Sequence, residues 1–173
     1  MTKTNKILII ALLSVAVIAM IVMILVLALH KDEVLTPDYA PEQLEQNAEK
    51  IEGESGEKLD VAEGGGAVAL NYTTDVTIDL SDKSAAITFA NPGKSHNNIV
   101  LRLVVQGTVV AQSGRIEPGY RVSKLDLLEG AAEKLAPGAY ETDTRFEVLF
   151  YDPESDERAF TSVDIPLVVI VQE

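Results

Sequence analysis

The sequence predicts an all-β head, an antiparallel β-sandwich of seven or eight strands, carried behind a single N-terminal transmembrane helix. Three observations predict it. Ile7 to Leu29 is 23 residues long and has Ser14 as its only polar side chain, the length and composition of a membrane span. His30 to Gly66 is acidic and poor in large apolar residues. From Ala67 onward, apolar residues recur with period two between turn residues, the mark of half-buried strands. The chain thus divides into a tail (1–6), a span (7–29), a stalk (30–66) and a head (67–173).

At about 1.5 Å per residue the apolar stretch covers roughly 34 Å as a helix, enough for a hydrocarbon core of about 30 Å. Lys3 and Lys6 precede it and Asp32 and Glu33 follow it. That lysine bias puts the N-terminus in the cytoplasm and the head outside. A cleavable signal peptide is the competing reading, with Val26 and Ala28 as a weak cleavage site, but its apolar core runs only about 7–15 residues. Lipoprotein-type attachment is excluded because the chain has no cysteine. A plain anchor fits better than a pairing helix, since no small-xxx-small motif is clean.

The formal net charge is −13. The stalk carries −8 and the head −7, against +2 in the first 29 residues. So acidic an exposed part argues against nucleic acid as a partner, because phosphate is met by Lys and Arg. It also disfavours lying on an anionic membrane surface. A cysteine-free external domain fits a bacterial surface better than a small secreted eukaryotic domain, which relies on disulfides. Asn71-Tyr72-Thr73 matches the glycosylation sequon, and a bacterial source makes that match accidental.

The stalk reads as a solvated spacer that cannot bury enough surface to offset its ordering entropy. As a flexible coil its 37 residues reach roughly 35 Å. One patch within it has the spacing of a short helix, from Pro41, with Leu44, Ala48 and Ile51 on one face and Gly53 at its end, but the solvated spacer is the preferred reading.

In the head, Val76, Ile78 and Leu80 form one inward set, and Ile87 and Phe89 begin the next. Asn91-Pro92-Gly93 breaks the chain. Ile99, Leu101, Leu103 and Val105 then face inward, opposite Asn98, Val100, Arg102 and Val104. Gln106-Gly107 predicts a two-residue hairpin into Thr108 to Gln112. Pro118-Gly119 predicts a type II turn. Tyr120 to Leu127 is a strand with a bulge near Ser123–Lys124. Glu129 to Ala136 is the one candidate helical turn. A long strand follows, with Tyr140, Thr142, Thr144, Phe146, Val148 and Phe150 on one face. The last strand runs from about Ala159 to Val171, with Val163, Ile165, Leu167, Val169 and Val171 inward, and Pro166 marks an edge or a bulge. Thr108 to Gln112 is the second candidate edge.

The L-x-P-G-x-Y run at Leu135 to Tyr140 resembles the approach to strand F of immunoglobulin-like and fibronectin type III-like domains. In those folds a corner tyrosine bonds upstream backbone, and the resemblance assigns that role to Tyr140. With I-x-P-G at Ile116 to Gly119, the pattern is also similar to short single-span surface proteins of Gram-positive Firmicutes, a family of uncharacterised role. The resemblance spans about 85–171 and implies a fold and an envelope location. It carries over no catalytic residue, and the Cys pair and core Trp of true immunoglobulin domains are missing.

The residues give little chemistry. His96 is the head's only histidine, adjacent to Ser95 in sequence rather than placed opposite it, and no G-x-S-x-G is present. It reads as an exposed loop residue. Asp152, Glu154 and Asp156, followed by Glu157, alternate as calcium ligands can, without the glycine and distal glutamate of an EF-hand. A solvated loop is the better reading. Glu141 and Asp143 are outer-face charges rather than a glycosidase pair, and Gly64-Gly65-Gly66 is a hinge rather than a phosphate loop. No catalytic, cofactor-binding or metal-ligating residue is assigned, and no cofactor is expected.

The expected function is a non-catalytic surface module, anchored in the cell membrane and presenting a β-sandwich to an extracellular protein or wall component. Two alternatives stand beside it: an accessory subunit of a secretion- or pilus-type machine, and an enzyme inhibitor or an enzyme with an unrecognised site.

Overall fold

A computed structural model describes residues 38–53, 57–61 and 66–173, together with Asn5, Val17, 19–21 and Met23. The chain forms two units, Met1–Thr36 and Pro37–Glu173. In the first, the described residues are all helical, and Val17, Met20, Ile21 and Met23 expose their apolar side chains. The remainder of the expected span, 7–29, lies outside the described residues. Among the described residues no helix is long and apolar enough to cross a membrane.

The second unit is all-β, as its alternation predicts, and two sheets form it. The first contains β1 (Ala48–Lys50), β2 (Asn71–Tyr72), β3 (Asp75–Asp79), β4 (Ser84–Asn91), β7 (Tyr120–Asp126), β8 (Gly138–Tyr140) and β11 (Val168–Gln172). Its order is β1-β7-β4-β3-β11-β8, with β2 on β4. The second contains β5 (Asn98–Val105), β6 (Thr108–Gln112), β9 (Arg145–Tyr151) and β10 (Arg158–Pro166), in the order β10-β9-β5-β6. Both expected edges, β10 and β6, lie at the margins of this sheet. Leu128 N–H closes part of the β6 margin by donating to Val110 O.

The sheets meet face to face. Phe89 from β4 and Phe146 from β9 stack edge to face across the core, with ring centroids 5.9 Å apart, the arrangement that aromatic quadrupoles favour. Val76, Ile78, Ile87, Leu101, Leu103 and Val148 share this core. Most turns follow their sequence chemistry. Gln106 and Gly107 have φ of 49° and 72°, as a type I′ hairpin requires at both central positions. Gly119 has φ 89°, and Tyr120 N–H closes the turn on Glu117 O. The expected helical turn is a single 3-10 turn at Ala132–Lys134. The bulge lies opposite Ser123, but its extra residue is in β4, between Ala86 and Phe89.

Four expectations need correction. The long strand from Tyr140 divides into β8 and β9, which belong to different sheets. The break is at 141–144, where Asp143 has φ 51° and Gly107 N–H donates to its carbonyl. The last strand likewise divides at Pro166–Leu167. β10 pairs with β9 in the second sheet, whereas β11 runs parallel to β3 in the first. Alternation conceals both breaks, because each strand keeps its apolar side toward the same core. Val163, expected inward, is 40% exposed, since it lies on marginal strand β10.

The third correction concerns β5. It is buried along both faces, not one. On its outer side Val100 joins Leu149, Tyr151 and Ala40 in a second small cluster. Beside them Arg102 pairs with Glu147 at 2.8 Å. The fourth concerns the stalk. Its residues 38–51 are built into the head, and β1 stands where the candidate helix was read. A short acidic helix is marginal alone in water, whereas an extended segment satisfies its backbone on an open sheet margin.

Candidate binding surface

Residues 38–51 form a belt. Arg158 N–H donates to Asp38 O at 2.9 Å, and Ala40 N–H donates to Asp156 O at 2.8 Å. The belt then passes Arg115, whose N–H donates to Gln43 O while Glu45 N–H donates to Arg115 O. β1 follows, antiparallel to β7, with Ala48 opposite Val122, Glu49 opposite Arg121 and Lys50 opposite Tyr120. Ile51 N–H ends the run on Gly119 O at 2.8 Å. Nearly all of this is main-chain bonding, which is why an acidic segment with few apolar residues can lie there.

Two features make the seat specific. Gly114 is a notch: a Cβ there would lie 2.9 Å from Gln43 O, 2.9 Å from Glu45 N and 3.0 Å from Glu45 Cα. Glu45 is only 8% exposed, and its carboxylate accepts Asn47 N–H at 2.9 Å and Gly114 N–H at 2.7 Å. Charge-assisted bonds of this type are stronger than neutral ones. A cavity of about 110 Å³ lies under the belt, lined by Leu44, Glu45, Ala48, Arg115, Glu117 and Tyr120. The outward contacts are looser. Arg121 meets Glu49 at 3.0 Å with both side chains 60% exposed, a pair of little energetic value.

A second anchoring point lies at the Asn91–Asn98 loop. Leu59 N–H donates to Lys94 O, and Lys58 Nζ donates to Ser95 O at 2.6 Å. His96, expected to be an exposed loop residue, is half-buried, with Nε2 2.7 Å from Leu59 O. Its neighbour Ser95 is fully buried, and Ser95 Oγ accepts Ala69 N–H and donates to Ala69 O. Both side chains therefore serve to hold Leu59 and Ala69 against the loop. Neither is poised toward the other as nucleophile and base.

The remaining candidates are also engaged in local structure. Tyr140 Oη donates to Ala136 O at 2.9 Å and accepts Ala136 N–H at 3.1 Å, which is the upstream backbone contact that its motif implies. Asp143 pairs with Arg145 at 2.9 Å, and Glu141 is exposed. Asn71 is exposed on β2. Of the glycine triplet, Gly64 and Gly65 lie outside the described residues, while a Cβ on Gly66 would meet Asn97 Oδ1 at 2.6 Å. Among the described residues no group of three or more His, Asp or Glu side chains could hold a metal ion.

In the 152–157 loop, Asp152 Oδ1 accepts Ser155 N–H and Glu154 N–H, both at 2.9 Å, and Ser155 Oγ–H at 3.2 Å. These bonds, led by the Ser155 amide, hold the Asp152 carboxyl below the usual aspartate range. The lowered folded pKa means that this loop gains stability above the unfolded value and loses it as pH falls through the folded one. A carbon-detected NMR titration is expected to place the Asp152 midpoint below that of an ordinary aspartate. Asp152→Asn is expected to increase exchange of the Glu154 and Ser155 amides. An ordinary midpoint for Asp152 would contradict the loop geometry.

No protein-family model matches the chain, and no curated protein is significantly similar to it.

Proposed function

We propose that this chain is a non-catalytic, single-span surface module: an anchor at 7–29, cytoplasmic N-terminus, and an extracytoplasmic β-sandwich head that meets a protein or wall component. The observation that carries the reading is the use of the head's reactive side chains. Ser95, His96 and Tyr140 are all bonded to the head's own backbone, which leaves sheet faces and margins as its contact surfaces. The exposed apolar side chains of helical Val17, Met20, Ile21 and Met23 support a lipid environment for the first unit.

The finer architecture we propose is immunoglobulin-like. What supports it is β3, β4 and β7 in one sheet, β6, β5, β9 and β10 in the other, and a last strand, β11, that crosses over to lie parallel to β3. The Tyr140 corner supports it too.

Because the chain has no cysteine, single introduced thiols test the topology. In intact cells, a membrane-impermeant maleimide is expected to label Thr161→Cys but not Lys3→Cys, and carbonate washing is expected to leave the chain in the membrane. Labelling of Thr161→Cys only after lysis, or release of the chain by carbonate, would overturn the proposal.

A further inference from the structure

We infer that the belt is exchangeable, and that the groove formed by the β7 margin and the Gly114 notch accepts residues 38–51 of a second copy of this chain. The occupant follows from the fit already described. The groove takes an extended strand with a glutamate at the notch and an alanine opposite Val122, and this chain carries that segment.

Three observations make the exchange accessible. The belt is held mainly by main-chain hydrogen bonds, with the Glu45 carboxylate and the exposed Arg121–Glu49 pair beside them, and its apolar contacts with the head are the small side chains of Ala40 and Ala48, while Tyr39 is 61% exposed and Leu44 53%. Segments of that kind open at free energies well below that of global unfolding. Every bond the belt makes in its own copy is available from another copy, so reciprocal exchange loses no contact, a low-cost route to dimers. The belt also continues into Gly53, which has φ 78° and open space around its Cβ position, a point where the chain can redirect. An opened belt leaves β7 amides and carbonyls bare, and an unpaired margin of this sort recruits another strand.

The competing equilibrium is the belt's return to its own head, which chain connection favours. Copy number in the same membrane or micelle therefore sets the extent of exchange.

Registered cysteines test it. Glu49 and Arg121 are directly opposed across β1 and β7, within the reach of a cross-strand disulfide. Full-length Glu49→Cys and full-length Arg121→Cys, carrying tags of different size, are co-expressed and purified together in detergent micelles. The off-register control pairs Glu49→Cys with Thr161→Cys on β10. A double variant bearing both registered cysteines in one chain reports belt docking, and is expected to close internally. The expected result is roughly tenfold more cross-chain product from the registered pair than from the control, the ratio of local to random encounter. Cross-chain product equal in the two pairs, or absent from both while the double variant closes internally, overturns the exchange. Either result leaves the surface-module reading untouched.

Discussion

Phe146→Ala is expected to destabilise the head by about 3–5 kcal/mol, the cost of truncating a buried aromatic. Phe146 is fully buried, and its ring lies at 76° to that of Phe89. Because the pair joins β9 to β4, its loss opens a void between the sheets rather than at a surface. The aromatic contact itself contributes about 0.5–1.5 kcal/mol beyond area burial. Urea denaturation followed by tyrosine fluorescence measures the effect, with Val163→Ala as the matched comparison. Val163 is 40% exposed, so its truncation is expected to cost no more than about 0.5 kcal/mol. Equal costs for the two would mean that the sheets do not pack through the aromatic pair.

Gly114→Ala is expected to lift the belt while leaving the core in place. Gly114 does not occupy a left-handed backbone conformation, so alanine is tolerated by its own backbone. The added methyl instead meets Gln43 O and Glu45 N, both backbone atoms 2.9 Å away. Overpacking of this kind costs about 1–3 kcal/mol, and the belt can relieve it by leaving. Hydrogen exchange at the amides of Glu45 and Ile51 is then expected to accelerate by about 10- to 100-fold, while exchange at Leu101 and Val148 stays as in the wild type. Unchanged protection of the belt would show that the notch is not what seats it.

The contrast between these two sites also marks what a sequence can disclose. The aromatic core was legible because Phe89 and Phe146 sit in strict alternation, and burial follows side-chain chemistry. The turns at Gln106-Gly107 and Pro118-Gly119 were legible because their φ demands restrict the residues that can stand there. Tyr140 was legible through its local motif. The belt was not, because main-chain hydrogen bonds hold it and these leave little trace in side chains. Its acidic composition instead matched that of a solvated spacer. Gly114 was the available signal: a glycine outside any turn marks close backbone approach. The breaks at 141–144 and Pro166–Leu167 stayed hidden because a strand that changes sheets keeps its apolar side on the shared core. The full burial of β5 was obscured by Asn98 and Arg102, whose polarity reads as solvent-facing. In the fold Arg102 Nη1 donates to Glu147 Oε2 at 2.8 Å.

The crossing of the C-terminal strand bears on how the protein is made. Val168 lies beside Asp75 and Val171 beside Ile78, contacts between opposite ends of the head. Pairings so distant along the chain close slowly, since loop entropy must be overcome first. β3 therefore lacks one of its two neighbours until β11 has been made and has docked. A nascent polypeptide that has not yet made β11 keeps one side of β3 unpaired.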